Sequence, residues 1–331
     1  MNKVLIIAEA GVNHNGRIEI AKRLVDEAKR CGADVVKFQT FNPIKLASRH
    51  AAMAKYQMEN LGIEESQAEM LSKLTLKKEE YLELVDYCNQ KGIKFLSTPF
   101  EIDSIHFLDN VQDVWKIPSG EITNYPYLVE IARTGKEIIL STGMSSLEEV
   151  GEALEVLKNN GAGKITLLHC TTNYPTPMED VNLRAMLTLR DTYDCEVGYS
   201  DHTKGIEVPI AAVALGAKVI EKHFTLDRNM EGPDHKASLE PDELLAMVNA
   251  IRNIEKAMGD GKKAPAESER ANSSVVRKSI IAAKKIKAGD ILTEENITTK
   301  RPGTGINPMN WNDVIGTRAI RDFDEDELIE I

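Results

Sequence analysis

Short apolar runs recur along the chain, each closing in a polar cluster and each followed by apolar positions at helical spacing. Residues 4–8 (VLIIA) read as a fully buried strand that ends in Glu9, Asn13, His14, Asn15 and Gly16. Ile18, Ala21, Leu24, Val25 and Ala28 then mark one face of a helix, which Gly32 stops. The same unit returns at 34–36, ending in Lys37, Phe38, Gln39 and Thr40, and then comes an irregular insertion up to about residue 67. Tyr81, Leu84, Val85 and Cys88 form the next apolar stripe, closed by Gly92. Further strands are expected at 94–96 (then Ser97, Thr98, Pro99), 114–117 (then Pro118, Ser119, Gly120, Glu121) and 137–140 (then Ser141, Thr142, Gly143). Another is expected at 165–168, leading into His169 and Asn173. The last two, 196–198 and 218–221, lead to His202 and, 21 residues later, His223.

Eight strands alternating with helical stripes such as Leu147, Val150, Leu154 and Leu157 are the arithmetic of an α/β fold of the (β/α)8 TIM barrel type over residues 1–258. A doubly wound sheet would place a glycine signature after one strand, and no G-x-G-x-x-G occurs. The polar clusters fall at the carboxyl ends of the strands, where such barrels carry their active sites. Residues 259–274 (GDGKKAPAESERANSS) hold almost no large apolar side chain and read as a linker. Residues 275–331, with short alternating runs broken by Gly and Pro, form a small second domain whose modest core is expected to dock against something.

Composition narrows the functional classes. A net charge of −11 argues against sequence-independent nucleic-acid binding and against anionic membrane surfaces. Four cysteines without C-x-x-C pairing suit a reducing compartment, and no run approaches the ~18 apolar residues of a membrane span, so a cytoplasmic protein is expected.

The strand-end residues supply a coherent chemistry. Lys37 and Lys116 with Thr98, Ser119, Ser141, Asn173 and Ser200 suit a phosphate, and Glu9, Glu121 and Asp234 add carboxylates. One histidine alone would most simply bond its own loop. His202 and His223 stand in the same relation to consecutive strands, and as neutral imidazoles they could share a divalent ion.

The segments IAEAGVNHNG (7–16), VKFQT (36–40), FLSTPF (95–100), KIPSGE (116–121), ILSTGM (139–144) and LLHCTTNYPTP (167–177) resemble the sialic acid synthases. So do GYSDHT (198–203), EKHFT (221–225), GPDHKAS (232–238) and KRPGTGI (300–306), so that the resemblance spans the whole chain. The tail resembles the antifreeze-like (SAF) domain of these enzymes. Within the insertion, AKYQ (54–57) and ESQAEM (65–70) look like the legionaminic acid synthase branch.

The resemblance implies a metal-dependent condensation of phosphoenolpyruvate with an N-acylated mannosamine-type sugar, giving a nine-carbon 2-keto acid and phosphate. It implies that His202 and His223 hold Mn²⁺ or a similar ion, with further positions open to water and substrate. Lys37, Thr98, Lys116, Ser119, Ser141, Asn173 and Ser200 would surround phosphoenolpyruvate, with Glu121 near its central carbon. Gln39, Tyr174, Asp234 and Arg301 would meet the acceptor sugar. A homodimer with exchanged tail domains is expected, in which Arg301 of one chain completes the other's site. Two readings compete: a Schiff-base aldolase using Lys37 or Lys116, and a phosphosugar-binding protein without turnover.

Overall fold

The computed structural model describes residues 3–331 except 49–50, 52, 54–56 and 59–65. Ala54, Lys55, Tyr56 and Glu65 of the two insertion motifs therefore lie outside the described residues. The chain divides into two units, Met1–Gly259 and Asp260–Ile331.

Among the described residues of the first unit, eight parallel strands each lead to one of eight outer helices, and two short helices, Pro43–Leu46 and Gln67–Ser72, lie in the insertion after the second strand. The strands are β1 (Leu5–Gly11), β2 (Val35–Thr40), β3 (Lys94–Pro99), β4 (Val114–Ile117), β5 (Glu137–Ser141), β6 (Ile165–His169), β7 (Glu196–Asp201) and β8 (Val219–His223). The outer helices are α1 (Ile18–Arg30), α2 (Lys78–Lys91), α3 (Ile102–Leu108), α4 (Tyr125–Ala132), α5 (Leu147–Asn159), α6 (Ala185–Tyr193), α7 (Glu207–Ala214) and α8 (Pro241–Ala257). Strand order runs β3-β2-β1-β8-β7-β6-β5-β4, so β8 pairs with β1 and, among the described residues, the β3–β4 seam is the one without a ladder. At that seam the Ser97 N–H donates to the Gln112 Oε1 at 2.8 Å, a side chain standing in for a strand carbonyl.

All the strands except β4 run further than the apolar runs that foretold them. Sequence reading ends the second strand at Val36, yet pairing with β3 continues through Gln39↔Thr98 and Thr40↔Pro99. The reason is the period of two: alternate residues point into the barrel. Ile7, Val35, Leu96, Ile139, Leu168 and Val219 form an apolar layer inside it. Two positions further along, the inward residues Glu9, Lys37, Thr98, Ser141 and Glu221 are polar, which ends the apolar signal without ending the strand. Gly198 belongs to the same packing, since a Cβ there would lie 2.3 Å from the Val219 carbonyl oxygen and 2.7 Å from Leu168 Cδ2. The outward residues, with the apolar faces of the helices, form the larger core.

In the second unit β9 (Ser279–Ala282) pairs antiparallel with β10 (Ile297–Lys300). Ile280, Ile286, Leu292, Ile297, Val314 and Phe323 are among its core residues. The stretch read as a linker is not irregular throughout, because α9 (Glu267–Val276) begins halfway along it. Glu267 and Glu269 lie in its first turn, and the Ala266 N–H donates to the Glu269 carboxylate at 2.8 Å. An exposed helix with no apolar face gives composition-based reading nothing to detect. Among the described residues, no helix is long and apolar enough to cross a membrane, and all four cysteines are unpaired.

Candidate active site

The inward polar layer builds the floor of a cavity of about 410 Å³ at the carboxyl ends of the strands. β1 contributes Glu9, β2 Lys37 and Gln39, β3 Thr98, β4 Lys116, β5 Ser141, β7 Ser200 and β8 Glu221. Lys37 Nζ lies 2.9 Å from Glu9 Oε2 and 3.6 Å from Glu221 Oε2, and donates to Thr98 Oγ1 at 3.1 Å. Lys116 Nζ donates to Ser141 Oγ at 2.8 Å and lies 3.7 Å from Glu221 Oε1. Ser200 Oγ donates to that same Glu221 oxygen at 3.1 Å, and Gln39 Nε2 donates to Glu9 Oε1 at 3.2 Å.

Burial and pairing divide these four charges unequally. Burial pushes Glu9 up to about 7, against the pull of Lys37. Burial also pushes Glu221 up, but Lys116 and Lys37 together outweigh it and hold this carboxylate at about 2. Lys37 is likewise opposed by burial, yet Glu221 and Glu9 raise it above the ordinary lysine value. For Lys116, with one carboxylate nearby, burial wins and its pKa is lowered. Two ammonium groups around one firmly ionised carboxylate, ringed by hydroxyls, leave room for an anion.

The two histidines stand beside this floor. Their ring centroids are 5.5 Å apart, and Tyr174 lies 4.2 Å from the His202 ring and 5.7 Å from that of His223. The His202 Nδ1–H donates to the Thr171 carbonyl at 2.8 Å, which leaves Nε2 as the lone-pair nitrogen. His223 Nδ1 is buried with no hydrogen-bond partner. Burial lowers the pKa of both rings, so both are neutral at pH 7. One imidazole oriented through its far nitrogen, and another with an orphaned buried nitrogen, fit a divalent ion. Among the described residues no group of three His, Cys, Asp or Glu side chains converges, so further ligands would come from water or substrate.

Behind the histidines, Asp201 and Lys222 form a fully buried ion pair. The Thr203 N–H and Oγ1–H donate to the Asp201 carboxylate at 3.0 Å, and the Lys222 ammonium also donates to the Thr203 carbonyl. These residues point away from the cavity and brace the two strand ends that carry His202 and His223.

Loops complete the rim. Glu121, in the turn after β4, accepts a hydrogen bond from Asn124 Nδ2 at 2.6 Å, and burial holds it above the usual carboxylate range. Ser119 Oγ lies 3.2 Å from Thr172 Oγ1. A Cβ on Gly143 would come within 2.3 Å of Thr172 Oγ1 and 3.1 Å of Ser119 Oγ, so only glycine lets these hydroxyls converge. Asp234 is pushed up to about 6 by burial. Its loop is latched from the β1–α1 turn: Asn13 Nδ2 donates to the Phe224 carbonyl at 2.9 Å and to Ser238 Oγ at 3.0 Å. Asn15 Nδ2 donates to the Glu231 carbonyl at 2.8 Å. Asn13 and Asn15, which sequence reading grouped with the rim clusters, thus hold a loop and do not line the cavity.

Of the residues singled out in the sequence, Glu9, Lys37, Gln39, Thr98, Lys116, Ser119, Glu121, Ser141, Tyr174, Ser200, His202, His223 and Asp234 line this one cavity. Asn173 does not: it is exposed, and its carbonyl accepts from Thr176 Oγ1 at 2.7 Å while its neighbour Thr172 faces inward. Arg301 belongs to the second unit, where it is exposed and its Nε donates to the Val276 carbonyl at 3.0 Å. Sequence reading assigned no role to Glu221, the central counter-charge. Its inward position, two residues before His223, was the available signal.

Residues 24–263 match the NeuB family and residues 277–330 match the SAF domain. The chain is 54% identical to an N,N'-diacetyllegionaminic acid synthase from Campylobacter jejuni, across 99% of both chains. It is 46% identical to a synthase of the same name from Legionella pneumophila, across 95% of this chain and 89% of that one. Among solved structures, N-acetylneuraminic acid synthetase from Leptospira borgpetersenii in complex with citrate matches with a TM-score of 0.72 at 37% identity. That match covers 82% of this chain and 90% of the other.

Proposed function

The chain belongs to the NeuB family, and from that premise we propose that it condenses phosphoenolpyruvate with an open-chain 2,4-diacetamido-6-deoxy mannosamine-type sugar, giving N,N'-diacetyllegionaminate and phosphate. The observation that carries the reading is the floor, where Lys37 and Lys116 flank Glu221 beside two neutral imidazoles. Lys37, Lys116, Thr98, Ser119 and Ser141 bind the phosphate and carboxylate of phosphoenolpyruvate. Held by these groups, the enol carbon lies next to the acceptor aldehyde.

His202 and His223 would hold Mn²⁺ or a similar ion, which when bound supplies Lewis-acid polarisation of the aldehyde. The enol carbon forms the new bond to the aldehyde carbon, and the aldehyde oxygen takes a proton to become a hydroxyl. Positive charge develops at the phosphate-bearing carbon, where the Glu121 carboxylate stabilises it and takes a proton from the water that adds there. Breaking the carbon–oxygen bond to phosphate then leaves the 2-keto acid, with the remaining hydroxyl proton passing to the departing phosphate and the proton held by Glu121 balancing the one taken by the aldehyde oxygen. Asp234, Gln39 and Tyr174 face the acceptor.

The test is phosphate release from phosphoenolpyruvate and Mn²⁺ with N-acetylmannosamine and with the diacetamido sugar. The diacetamido sugar is expected to have the higher kcat/KM and EDTA to stop turnover; a tenfold preference for N-acetylmannosamine would overturn the acceptor assignment. One observation favours the aldolase reading: Lys116 is buried with a single carboxylate, Glu221, at 3.7 Å, so that burial lowers its pKa as a Schiff-base nucleophile needs. Borohydride reduction in the presence of pyruvate separates the two, because only the aldolase is trapped covalently.

The acceptor site is completed by Arg301 from the SAF domain of a second copy, in a two-fold dimer with exchanged tails. The irregular stretch 260–266 extends to roughly 25 Å and α9 adds about 15 Å, which supports such an exchange. Mixing inactive Arg301→Ala with inactive His202→Ala protein is expected to restore part of the activity once subunits exchange. No recovery after proven exchange would overturn the arrangement.

A further inference from the structure

The cavity is not polar all round. Phe41, Leu46, Met70, Leu71, Leu74 and Phe100 line it in the sector above β2 and β3. They belong to an apolar cluster separate from both the barrel interior and the strand–helix core. Phe41 and Phe100 pack edge to face at 6.2 Å, and Phe41, Met70 and Leu74 are buried. Leu46, Leu71 and Phe100 are only partly buried, so each keeps surface exposed in the cavity. Gln57 and Gln67 put two carboxamides on the same lining. A cluster that closes no strand–helix layer and leaves apolar surface in a substrate cavity is a recognition surface.

Resting on the acceptor reading above, we infer that this wall selects a sugar whose far end carries a methyl group and an acetamido group in place of hydroxyls. The aldehyde carbon must lie at the polar floor, where the new bond forms. The other end of the six-carbon chain is then free to reach the wall. A C6 methyl there adds apolar contact and needs no partner. A C6 hydroxyl would lose its water with no donor or acceptor offered by phenylalanine, leucine or methionine. An apolar pocket discriminates against an added hydroxyl by up to about 100-fold, so a preference of tenfold or more is within its means. The C4 acetamido group matches the wall in the same way, its methyl against Leu71 and Phe100 and its amide toward the glutamine carboxamides.

The test compares the 2,4-diacetamido-6-deoxy acceptor with its counterpart bearing a hydroxyl at C6, first on the wild-type protein and then on Leu71→Gln. Phe100→Tyr serves as a second variant, since it keeps the ring and adds one hydroxyl. Wild type is expected to favour the 6-deoxy sugar by at least tenfold in kcat/KM, and either variant to bring the ratio below threefold. A wild-type ratio below threefold overturns the inference. So does a ratio that survives in folded Leu71→Gln and folded Phe100→Tyr. Wild-type turnover of neither sugar would instead overturn the function proposed above, which keeps the two failures distinct.

Discussion

Lys37 and Lys116 have the same chemistry and nearly the same burial, yet replacing Lys37 by methionine is expected to cost stability and replacing Lys116 is not. Lys37 has two carboxylates, at 2.9 and 3.6 Å, worth gross attractions of about 6 and 5 kcal/mol at an effective dielectric of about 20. Lys116 has one, at 3.7 Å, worth about 4.5 kcal/mol on the same basis. The desolvation cost is several kcal/mol for either ammonium. Two carboxylates outweigh it and one does not, in line with the raised pKa of Lys37 and the lowered pKa of Lys116.

The linkage signs follow. A raised lysine contributes stability that is fully present below its unfolded pKa and is lost as pH rises through the folded value. A lowered lysine costs stability at every pH below the ordinary lysine range, and the cost vanishes above it. At pH 8, where most of Glu9 is ionised, Lys37→Met therefore breaks a buried pair. Glu9 can relieve its buried, unpaired charge by taking a proton, which puts the loss near the lower end of the usual range, about 3 kcal/mol. For a domain of this size that is a fall in Tm of roughly 6–12 °C. Lys116→Met is expected to leave Tm unchanged or to raise it. Under the proposed function both variants would lose a charge-assisted contact to phosphoenolpyruvate, and kcat/KM for that substrate is expected to fall by about 10- to 150-fold. Differential scanning calorimetry at pH 8 and a phosphate-release assay read the two effects separately. Tm shifts of the same sign and size in both variants would refute the charge balance.

His202→Ala and His223→Ala are each expected to abolish turnover and Mn²⁺ binding by titration calorimetry while leaving the far-UV circular dichroism unchanged, because both rings lie in the cavity and not in the core. Near-normal activity in either variant at limiting Mn²⁺ would rule out the two-histidine site. Asp234 has its pKa raised to about 6, so the folded protein favours the protonated form and stability is lost as pH rises through that value. Asp234→Asn is accordingly expected to gain up to about 3 kcal/mol at pH 8 and almost nothing at pH 4, measured by urea unfolding, and an equal change at both pH values would contradict the assignment. Lys222→Met strands the buried Asp201 carboxylate and is expected to cost about 3–5 kcal/mol. A further Asp201→Leu change is expected to recover more than half of that loss; an additive double mutant would refute the coupling.

The order of strands and helices, and the polar character of the strand ends, could be read from the chain because both rest on local periodicity. Apolar runs and helical stripes are properties of neighbours in sequence, and eight repeats of one unit leave few architectures. That Glu9, Lys37, Gln39, Thr98, Lys116, Ser141, Ser200 and His223 line one cavity follows from the same logic, since inward strand positions recur every second residue, while Ser119, Glu121, Tyr174, His202 and Asp234 reach it from the loops just beyond the strands. Long-range packing decided the rest. Glu221 and Lys222 are adjacent charges in one strand, and only the register with β1 and β7 sends the first into the cavity and the second into a buried pair with Asp201. The Gln112 side chain at the β3–β4 seam and the latch from Asn13 to Ser238 join residues that no local pattern relates. The apolar wall likewise gathers Phe41, Leu71 and Phe100 from three segments whose spacing has no period. A period can be read one residue at a time, whereas a contact between distant segments exists only after the strands have paired and closed around a common axis.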